Sequence, residues 1–125
     1  MQSQPIPGWI NDLFHAIDSM DSGRFCDYLT DDAVFVYGSS EPIHGKDAIR
    51  DGVREFFKSF KALHHEIQGS YQIDEIIFVR LGVTYTLPSG HEVTVPALNL
   101  FQMEDAKIRD YLIYVDPTPI LTAAS

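Results

Sequence analysis

The amino-acid sequence predicts an α+β fold in which helices come first and antiparallel strands follow. Apolar patterns with helical spacing occupy the first half of the chain, whereas strand-like segments follow one another in the second half. The clearest is a long hairpin over 76–103, whose arms are rich in β-branched and aromatic residues and are joined by a Pro/Gly turn at 88–90. Each arm is about twice the usual strand length, so the hairpin can form the centre of one curved sheet.

Three helices are predicted. Apolar residues recur at helical spacing over 9–20, which indicates an amphipathic first helix. A short second helix is predicted over 21–29, with Asp21 as a suitable N-cap. The third helix begins at Gly45 and carries i,i+3 ion pairs on its solvent face. Its apolar stripe consists of Ile49, Val53, Phe56, Phe57 and Phe60.

Three further segments are predicted as strands. The first is 33–37, between the second and third helices. The second, 63–73, alternates between apolar and polar residues, which is typical of a half-buried strand. The last is 107–115, and Pro117 and Pro119 are expected to end it. The inward face of the second segment is predicted to carry Leu63, His65, Ile67, Tyr71 and Ile73.

The predicted sheet is apolar on both faces, whereas a face in contact with water should be polar. One face of the first hairpin arm carries Val79, Leu81, Val83 and Tyr85. The opposite face is assigned the second-arm residues Val93, Val95, Ala97, Phe101 and Met103, together with Leu98 and Leu100. A second apolar face needs a cover, and a two-fold partner is the commonest one. We therefore expect a homodimer through the outer sheet face, involving Leu98, Leu100, Leu112 and Tyr114.

Composition and charge narrow the functional classes. A chain of 125 residues with 45% hydrophobic residues is expected to form a single globular domain over 1–125. The net charge of −9 opposes binding to nucleic acid and to anionic membranes. No signal-peptide pattern is present, and the single cysteine, Cys26, cannot form an intramolecular disulfide. We therefore expect a cytoplasmic protein in which Cys26 is a buried small side chain.

The sequence contains no motif that indicates phosphate binding or a metal site. The sequence contains neither G-x-x-x-x-G-K nor G-x-G-x-x-G. His64, His65 and Glu66 are ligand-type residues in succession, but strand alternation sends His64 and His65 to opposite faces. We therefore expect neither a metal nor a cofactor.

Four segments resemble a known family. They are DSMD at 18–21, LTDDAVF at 29–35, GKDAIR at 45–50 and DYLIYVD at 110–116. They look like the SnoaL-like proteins, which share a superfamily with nuclear transport factor 2, ketosteroid isomerase, scytalone dehydratase and limonene epoxide hydrolase. The resemblance covers essentially the whole chain. It implies a cone-shaped half-barrel, often dimeric, with a curved antiparallel sheet that is mixed at its edge and three N-terminal helices enclosing a deep apolar pocket.

Two catalytic sets of that superfamily are incomplete in this chain. The ketosteroid isomerase base corresponds to Tyr37 and one of its oxyanion donors to Leu13, while the other donor position holds Asn99. The two carboxylates of limonene epoxide hydrolase correspond to Gly82 and Ile113. Because both carboxylates are missing, we expect no ordinary epoxide hydrolysis.

Among these enzymes, scytalone dehydratase is the one whose catalytic polar residues are best matched in this chain. Its tyrosine, histidine and asparagine positions resemble Tyr37, His65 and Asn99, which alternation places on the pocket face. Its three remaining positions hold Met20, Thr84 and Ala97. The resemblance therefore implies that part of a water- and proton-handling site is kept.

We predict that His65 is the general acid/base, since an imidazole with a near-neutral pKa moves protons at working pH. Tyr37 and Asn99 would polarise a substrate oxygen or hold a water. The alternative is that all three are satisfied polar groups of the core with no ligand. The residues predicted to contact substrate are Arg80, Thr84, Phe56, Phe60, Ala97, Phe101, Tyr111, Ile113 and Met20.

Two charged residues have more than one interpretation. Arg80 is either a pocket cation for an acidic or carbonyl ligand or a structural ion-pair partner. Asp116 is expected to cap the strand end or to meet a partner subunit, because alternation places it opposite Tyr111 and Ile113. A twist at Pro117 would instead turn Asp116 into the pocket as a base.

The sequence thus predicts a protein with a pocket for a small hydrophobic molecule. The favoured function is a cofactor-independent lyase or isomerase, with dehydratase- or cyclase-like proton transfer on a small carbonyl or hydroxy compound. The alternative is a non-catalytic ligand-binding or dimerisation domain of the same fold.

Overall fold

The computed structural model describes residues 4–124, which contain four helices and six strands. In chain order these are α1 (Gly8–Asp18), α2 (Ser22–Cys26), β1 (Leu29–Tyr37), β2 (Ile43–His44), α3 (Lys46–Phe57), β3 (Ala62–Ile73), β4 (Ile76–Thr86), β5 (Glu92–Glu104), β6 (Lys107–Val115) and α4 (Thr118–Ala124). In this described part of the chain, none of the helices has the length and apolar character needed to cross a membrane.

All six strands belong to one sheet with the order β2-β1-β6-β5-β4-β3. β1 and β6 run parallel, and every other neighbouring pair is antiparallel. The sheet is strongly curved, because the hydroxyls of Tyr37 on β1 and Tyr85 on β4 meet at 2.8 Å although two strands separate β1 from β4. The predicted α+β class, with a curved sheet that is mixed near its edge, is confirmed.

The helices pack on the concave face of the sheet, and the core lies between these two layers. Buried apolar residues recur along one side of each long helix, as the sequence periodicity predicts. They are Ile10, Leu13, Phe14, Ala16 and Ile17 on α1, and Ile49, Val53 and Phe57 on α3. Burying one such large side chain contributes about 1.5–3 kcal/mol, so packing rather than helix propensity holds this layer on the sheet.

Three element boundaries differ from the prediction. The second helix ends at Cys26, because Leu29 pairs with Ile108 on β6 and so already belongs to β1. The two-residue strand β2 is too short to leave a periodic signal in the sequence. The helix α4 begins after Pro117 and contains Pro119 in its first turn, although both prolines were expected only to end the last strand. A proline in a first helical turn lacks only an N–H that has no helical acceptor.

A β-bulge in β3 reverses the predicted alternation halfway along the strand. The register with β4 shifts between Ile67 and Gly69, so the residue between them is unpaired. After the bulge, Ser70 is buried and Ile73 is 50% exposed. The inward assignment therefore holds for the residues before the bulge, His65 included, and is wrong for Tyr71 and Ile73.

The predicted face assignment of β5 is also wrong. Val83 pairs with Val95 and Leu81 pairs with Ala97, and residues directly opposite each other share a face. The second-arm residues assigned to the outer face, Val93, Val95, Ala97 and Phe101, therefore lie on the concave face with the first-arm residues. Met103 follows a second register shift and is half-buried against the same core. Leu98 and Leu100 lie on the outer face as predicted, because they pair with Arg80 and Phe78, whose side chains point away from the concave face.

A row of apolar side chains crosses the outer face of five strands. In pairing order it consists of Tyr71, Phe78, Leu100, Leu112 and Val36. Beside this row, Leu98 and Tyr114 pair with each other and are 37% and 56% exposed. A continuous apolar band of this kind on one sheet face is suited to a second copy of the same surface, since an isologous contact brings the band against itself.

We expect the protein to form a homodimer through this band. The double variant Leu98→Lys and Tyr114→Glu should sediment as a monomer at micromolar concentration, because it places charges in a desolvated apolar contact. Thr94→Lys is the matched control, since Thr94 is exposed on the same face but pairs outside the band. A monomeric wild-type protein at that concentration would contradict the dimer.

Candidate functional site

A cavity of about 210 Å³ lies between the helices and the concave face of the sheet. Most of the side chains that line it are aliphatic or aromatic, including Ile17, Phe25, Val53 and Leu81. Its polar lining comes from Tyr37, Ser40, His65, Tyr85, Asn99 and Tyr111. The cavity is therefore apolar with a few polar groups, which is the usual character of a small-molecule site.

All three residues predicted to be catalytic, Tyr37, His65 and Asn99, line this cavity. The register explains the placement of two of them, because Ile113 on β6 pairs with Asn99 on one side and with Tyr37 on the other. Of the predicted substrate contacts, the lining includes Phe56, Ala97, Tyr111 and Ile113. The chemical roles of these residues stay predictions.

Arg80 and Thr84 do not line the cavity, so their prediction as substrate contacts is wrong. Arg80 lies between the inward-facing Val79 and Leu81, which places its own side chain on the outer face. Its guanidinium lies 3.4 Å from both the side-chain and main-chain oxygens of Gln68, the bulge residue. Thr84 shares that phase and its hydroxyl lies 2.7 Å from that of Thr94. Arg80 is thus not a pocket cation, and it forms no ion pair with any of residues 4–124.

Three other predicted contacts lie behind the lining. Phe60 packs on Phe56 and Tyr85 with ring centroids 5.0 Å and 5.1 Å apart. Phe101 is fully buried in the core, with its ring 4.6 Å from that of Tyr111. Met20 lies in the turn after α1 with a φ of 57° and packs against the core. These side chains support the cavity wall without reaching the cavity.

Asp116 is exposed and does not enter the cavity. Its Oδ1 accepts a hydrogen bond of 3.0 Å from the backbone N–H of Thr118 at the start of α4. This hydrogen bonding lowers the pKa of the Asp116 carboxyl. The interpretation as a cap is therefore the one that the structure supports, and the interpretation as a base is wrong.

The residue that the sequence did not reveal is Asp18, the last residue of α1. Its Oδ1 lies 2.6 Å from Nδ1 of His65, and its Oδ2 accepts a 3.0 Å hydrogen bond from the backbone N–H of His65. β3 is an edge strand, so this N–H has no neighbouring strand to bond to. The carboxylate takes that place and fixes the histidine by two contacts.

Asp18 determines which ring nitrogen of His65 can act. Because a carboxylate accepts the Nδ1 proton, Nε2 is the nitrogen that remains for a ligand. The ring also packs on Phe14 with a centroid distance of 5.1 Å, which restrains its rotamer. The side chains of His65 and Asp18 are 12% and 22% exposed, so solvent screens their contact only partly.

Tyr37 instead pairs with Tyr85, with 2.8 Å between the two hydroxyl oxygens. Burial raises the pKa of Tyr37, and the hydrogen bond to Tyr85 offsets part of that rise. Burial raises the pKa of Tyr85 further, and the nearby Tyr37 adds to it. Both phenols are thus protonated at neutral pH. Since one hydroxyl donates to the other, one O–H of the pair is left to donate to a ligand.

Asn99 forms the second polar pair, with Tyr111. Its Nδ2 donates to the Tyr111 hydroxyl at 3.3 Å, whereas its Oδ1 is buried and has no hydrogen-bond partner among residues 4–124. If the amide is rotated by 180°, so that Oδ1 and Nδ2 exchange positions, Oδ1 accepts a hydrogen bond from the Tyr111 hydroxyl and Nδ2 has no partner. In either orientation one polar function of this amide is unpaired, which costs about 1–3 kcal/mol when nothing occupies the cavity.

We expect the free energy of unfolding to fall as pH rises above about 10. Burial raises the pKa of Tyr85 and Tyr111 in the folded protein, so the unfolded chain loses these phenol protons first. This stability contribution is complete below the unfolded pKa and is lost at about 1.4 kcal/mol per pH unit for each tyrosine above it. Urea unfolding at pH 9, 10 and 11 measures the slope.

Replacing Tyr85 with phenylalanine should make that slope shallower. Equal slopes for wild type and Tyr85→Phe would show that burial of this phenol does not drive the alkaline loss.

Within residues 4–124, no cluster of three or more His, Cys, Asp or Glu side chains could hold a metal ion. The thiol of Cys26 is buried, and burial raises its pKa. The polar side chains of the cavity lining are those of His65, the three tyrosines, Asn99 and Ser40.

The comparisons with known proteins agree with this geometry. A family model described as a SnoaL-like domain matches residues 10–111. No curated protein sequence matches the chain significantly.

Three solved structures are similar in fold. A Catenulispora acidiphila protein with a ketosteroid isomerase-like fold, in complex with trimethylamine, has a TM-score of 0.87 at 12% identity, covering 94% of this chain and 92% of the other. A candidate SnoaL-like polyketide cyclase from Jannaschia sp. CCS1 has a TM-score of 0.76 at 17% identity, covering 98% and 96%. An epoxide hydrolase from M. tuberculosis that resembles limonene epoxide hydrolase has a TM-score of 0.76 at 14% identity, covering 90% and 84%. At these identities the likeness establishes the fold and not the reaction.

Proposed function

Because the chain belongs to the SnoaL-like family of the nuclear transport factor 2-like superfamily, we propose that it is a cofactor-independent lyase or isomerase for a small hydrophobic carbonyl or hydroxy compound. The observation that carries this proposal is the Asp18–His65 pair beside an otherwise apolar cavity. A carboxylate that holds Nδ1 fixes the orientation of the imidazole and leaves it one available nitrogen.

In the proposed reaction, Nε2 of His65 takes a proton from the carbon next to a substrate carbonyl. The electron pair of the broken C–H bond moves into the carbonyl, and negative charge develops on its oxygen. The free O–H of the Tyr37–Tyr85 pair, or the Asn99 amide, hydrogen-bonds that oxygen. In an isomerisation, the negative charge is shared with a conjugated C=C bond, and the proton returns from His65 to the far carbon of that system as the carbonyl re-forms. In a dehydration, the C–O bond to a hydroxyl on the next carbon breaks as a C=C bond forms, and the departing hydroxide takes the proton from His65 and leaves as water.

The alternative is a binding domain without catalysis, and one observation favours it. Tyr37 pairs with Tyr85 and Asn99 pairs with Tyr111, so most of the polar lining is satisfied within the protein itself. Polar groups paired in this way can serve a core as well as a reaction.

Exchange of the α-hydrogens of 1-indanone in D₂O, followed by proton NMR, tests the proposal. A protein that transfers protons in this cavity should accelerate exchange over buffer at the same pH, without any added metal or cofactor. Saturable binding of 1-indanone without faster exchange would favour the binding domain and contradict the lyase or isomerase.

We expect no turnover of limonene oxide. Hydration of an epoxide needs an acid and a base acting together, and no Asp or Glu is among the described residues that line the cavity. Position 82 cannot supply one, because Gly82 has the outward phase and a Cβ there would lie 2.9 Å from Nε2 of Gln68. The sequence-based mapping of a cavity carboxylate to this position is therefore wrong. Gas chromatography measures formation of the diol from limonene oxide. Diol formed faster than in buffer alone would contradict this expectation.

A further inference from the structure

The size of the cavity limits its ligand. A cavity of about 150 Å³ lined by aliphatic and aromatic side chains holds one benzene molecule. At about 210 Å³, this cavity has room for one substituted ring or two small fused rings. A four-ring molecule is far too large unless the helix layer moves off the sheet.

The charge of the lining limits the ligand as well. Among the described residues that line the cavity there is no Lys, Arg, Asp or Glu, and Arg80 lies on the opposite face of the sheet. The one ionisable pair at the wall, Asp18 with His65, is already paired within itself. A ligand carboxylate would enter an apolar space with no cation to compensate it, so a charged ligand is strongly disfavoured.

Four of the six polar residues of the lining form two separate hydrogen-bonded clusters, which leave Ser40 and His65 outside them. One is the Asn99–Tyr111 pair with its unpaired amide function, and the other is the Tyr37–Tyr85 pair with its spare O–H. Asn99 and Tyr37 lie two strands apart in one row of the sheet, so their Cα atoms are roughly 10 Å apart. A backbone separation of this size is comparable to the length of one ring that carries an oxygen at each end.

We infer that the ligand of this cavity is a neutral compound of one ring or two small fused rings with two oxygen functions, one bound at Asn99 and the other at the Tyr37–Tyr85 pair. This inference rests on the proposed function, since it names the substrate class of the same site. It narrows that class in three respects, which are ring number, charge and the separation of two oxygens.

Three compounds of matched shape test it, by calorimetry at pH 6.5. 4-Hydroxyacetophenone is neutral with two oxygen functions, acetophenone lacks the second oxygen, and 4-hydroxybenzoate replaces the methyl ketone with a charged carboxylate of the same size. We expect 4-hydroxyacetophenone to bind at least about tenfold more tightly than acetophenone and 4-hydroxybenzoate to show no saturable binding. Binding of the benzoate as tight as that of the ketone would overturn the inference.

Variants assign each oxygen to its cluster. Asn99→Leu keeps the size of the side chain, and the double variant Tyr37→Phe and Tyr85→Phe removes the two hydroxyls of the other cluster. The variant at the cluster that binds the phenol hydroxyl should remove the advantage of 4-hydroxyacetophenone over acetophenone, whereas the variant at the cluster that binds the shared ketone should weaken both compounds equally. Thr94→Val, on the outer face, is the matched control, and a thermal melt of each variant shows whether it folds. An advantage that survives in both folded cavity variants would overturn the two-oxygen assignment.

The two readouts separate this inference from the proposed function. Accelerated exchange of 1-indanone together with binding of 4-hydroxybenzoate would leave the catalysis standing and overturn the ligand class. Preferred binding of 4-hydroxyacetophenone without accelerated exchange would support the ligand class and contradict the catalysis.

Discussion

Replacing His65 with glutamine should reduce proton exchange from 1-indanone by roughly 10²- to 10⁴-fold, the usual contribution of a general acid/base. Glutamine has a similar length but no group that takes up a proton near neutral pH. The backbone N–H at this position still bonds Asp18, so β3 keeps its contact with α1 and the fold should be retained. NMR exchange rates and a thermal melt of the same sample measure the two effects.

His64→Gln is the matched control for this change. His64 is the preceding residue of the same strand, but its side chain is 73% exposed and lies outside the cavity lining. Its Nδ1 is 3.8 Å from Oδ2 of Asp18, which is beyond hydrogen-bond distance, and solvent screens this exposed contact. Its substitution should leave the exchange rate unchanged. A His65→Gln variant that is as active as wild type would make His65 a packed core residue, which is the alternative that the sequence left open.

Replacing Asp18 with asparagine should lower the rate of 1-indanone proton exchange by a factor comparable to that of His65→Gln, but for a different reason. The asparagine amide can donate to Nδ1 of His65, which would place the ring proton on Nε2, the nitrogen that has to accept one. The rate constant at saturating 1-indanone should therefore fall while the binding constant changes little. Losing a charge-assisted hydrogen bond at this partly buried site should also lower the free energy of unfolding by about 1.5–3 kcal/mol.

Asp12→Asn on the exposed side of α1 is the control, since it removes the same charge from the same helix. Asp18→Glu should restore part of the rate, because a longer carboxylate can still accept the Nδ1 proton. Asp18→Asn with full activity and lowered stability would show that Asp18 only ties α1 to the edge of the sheet.

The fold was largely predictable because its elements obey local periodicities. The hairpin of β4 and β5 alternates without interruption, so its strands and turn could be placed from their residues. Alternation along β3 predicted the inward side chain of His65, since the bulge at Gln68 lies beyond it. The same reasoning failed for Tyr71, because an extra residue in a strand leaves no signature in an apolar pattern.

The site was predictable only in part, because it depends on contacts between distant segments. Asp18 and His65 are 47 positions apart, and no local rule joins the end of a helix to the edge of a sheet. One indication existed: Asp18 follows Phe14 by four residues, so this carboxylate lies on the apolar side of its helix. The assignment of Arg80 to the pocket ran against the alternation of β4, and the alternation was correct.

The parallel pairing of β1 with β6 also has a consequence for how the chain folds. β3, β4 and β5 are consecutive and can associate as soon as they are synthesised, whereas β1 finds its main partner only in the last strand. Closing that long loop carries an entropic penalty before any packing offsets it, and folds dominated by such contacts form slowly. Until β6 pairs with β1 and β5, the strand that carries Tyr37 is not joined to the rest of the sheet, so the Tyr37–Tyr85 hydrogen bond cannot form. The apolar concave face of the sheet is exposed to solvent during this time. A nascent chain at that stage has its greatest need of a chaperone.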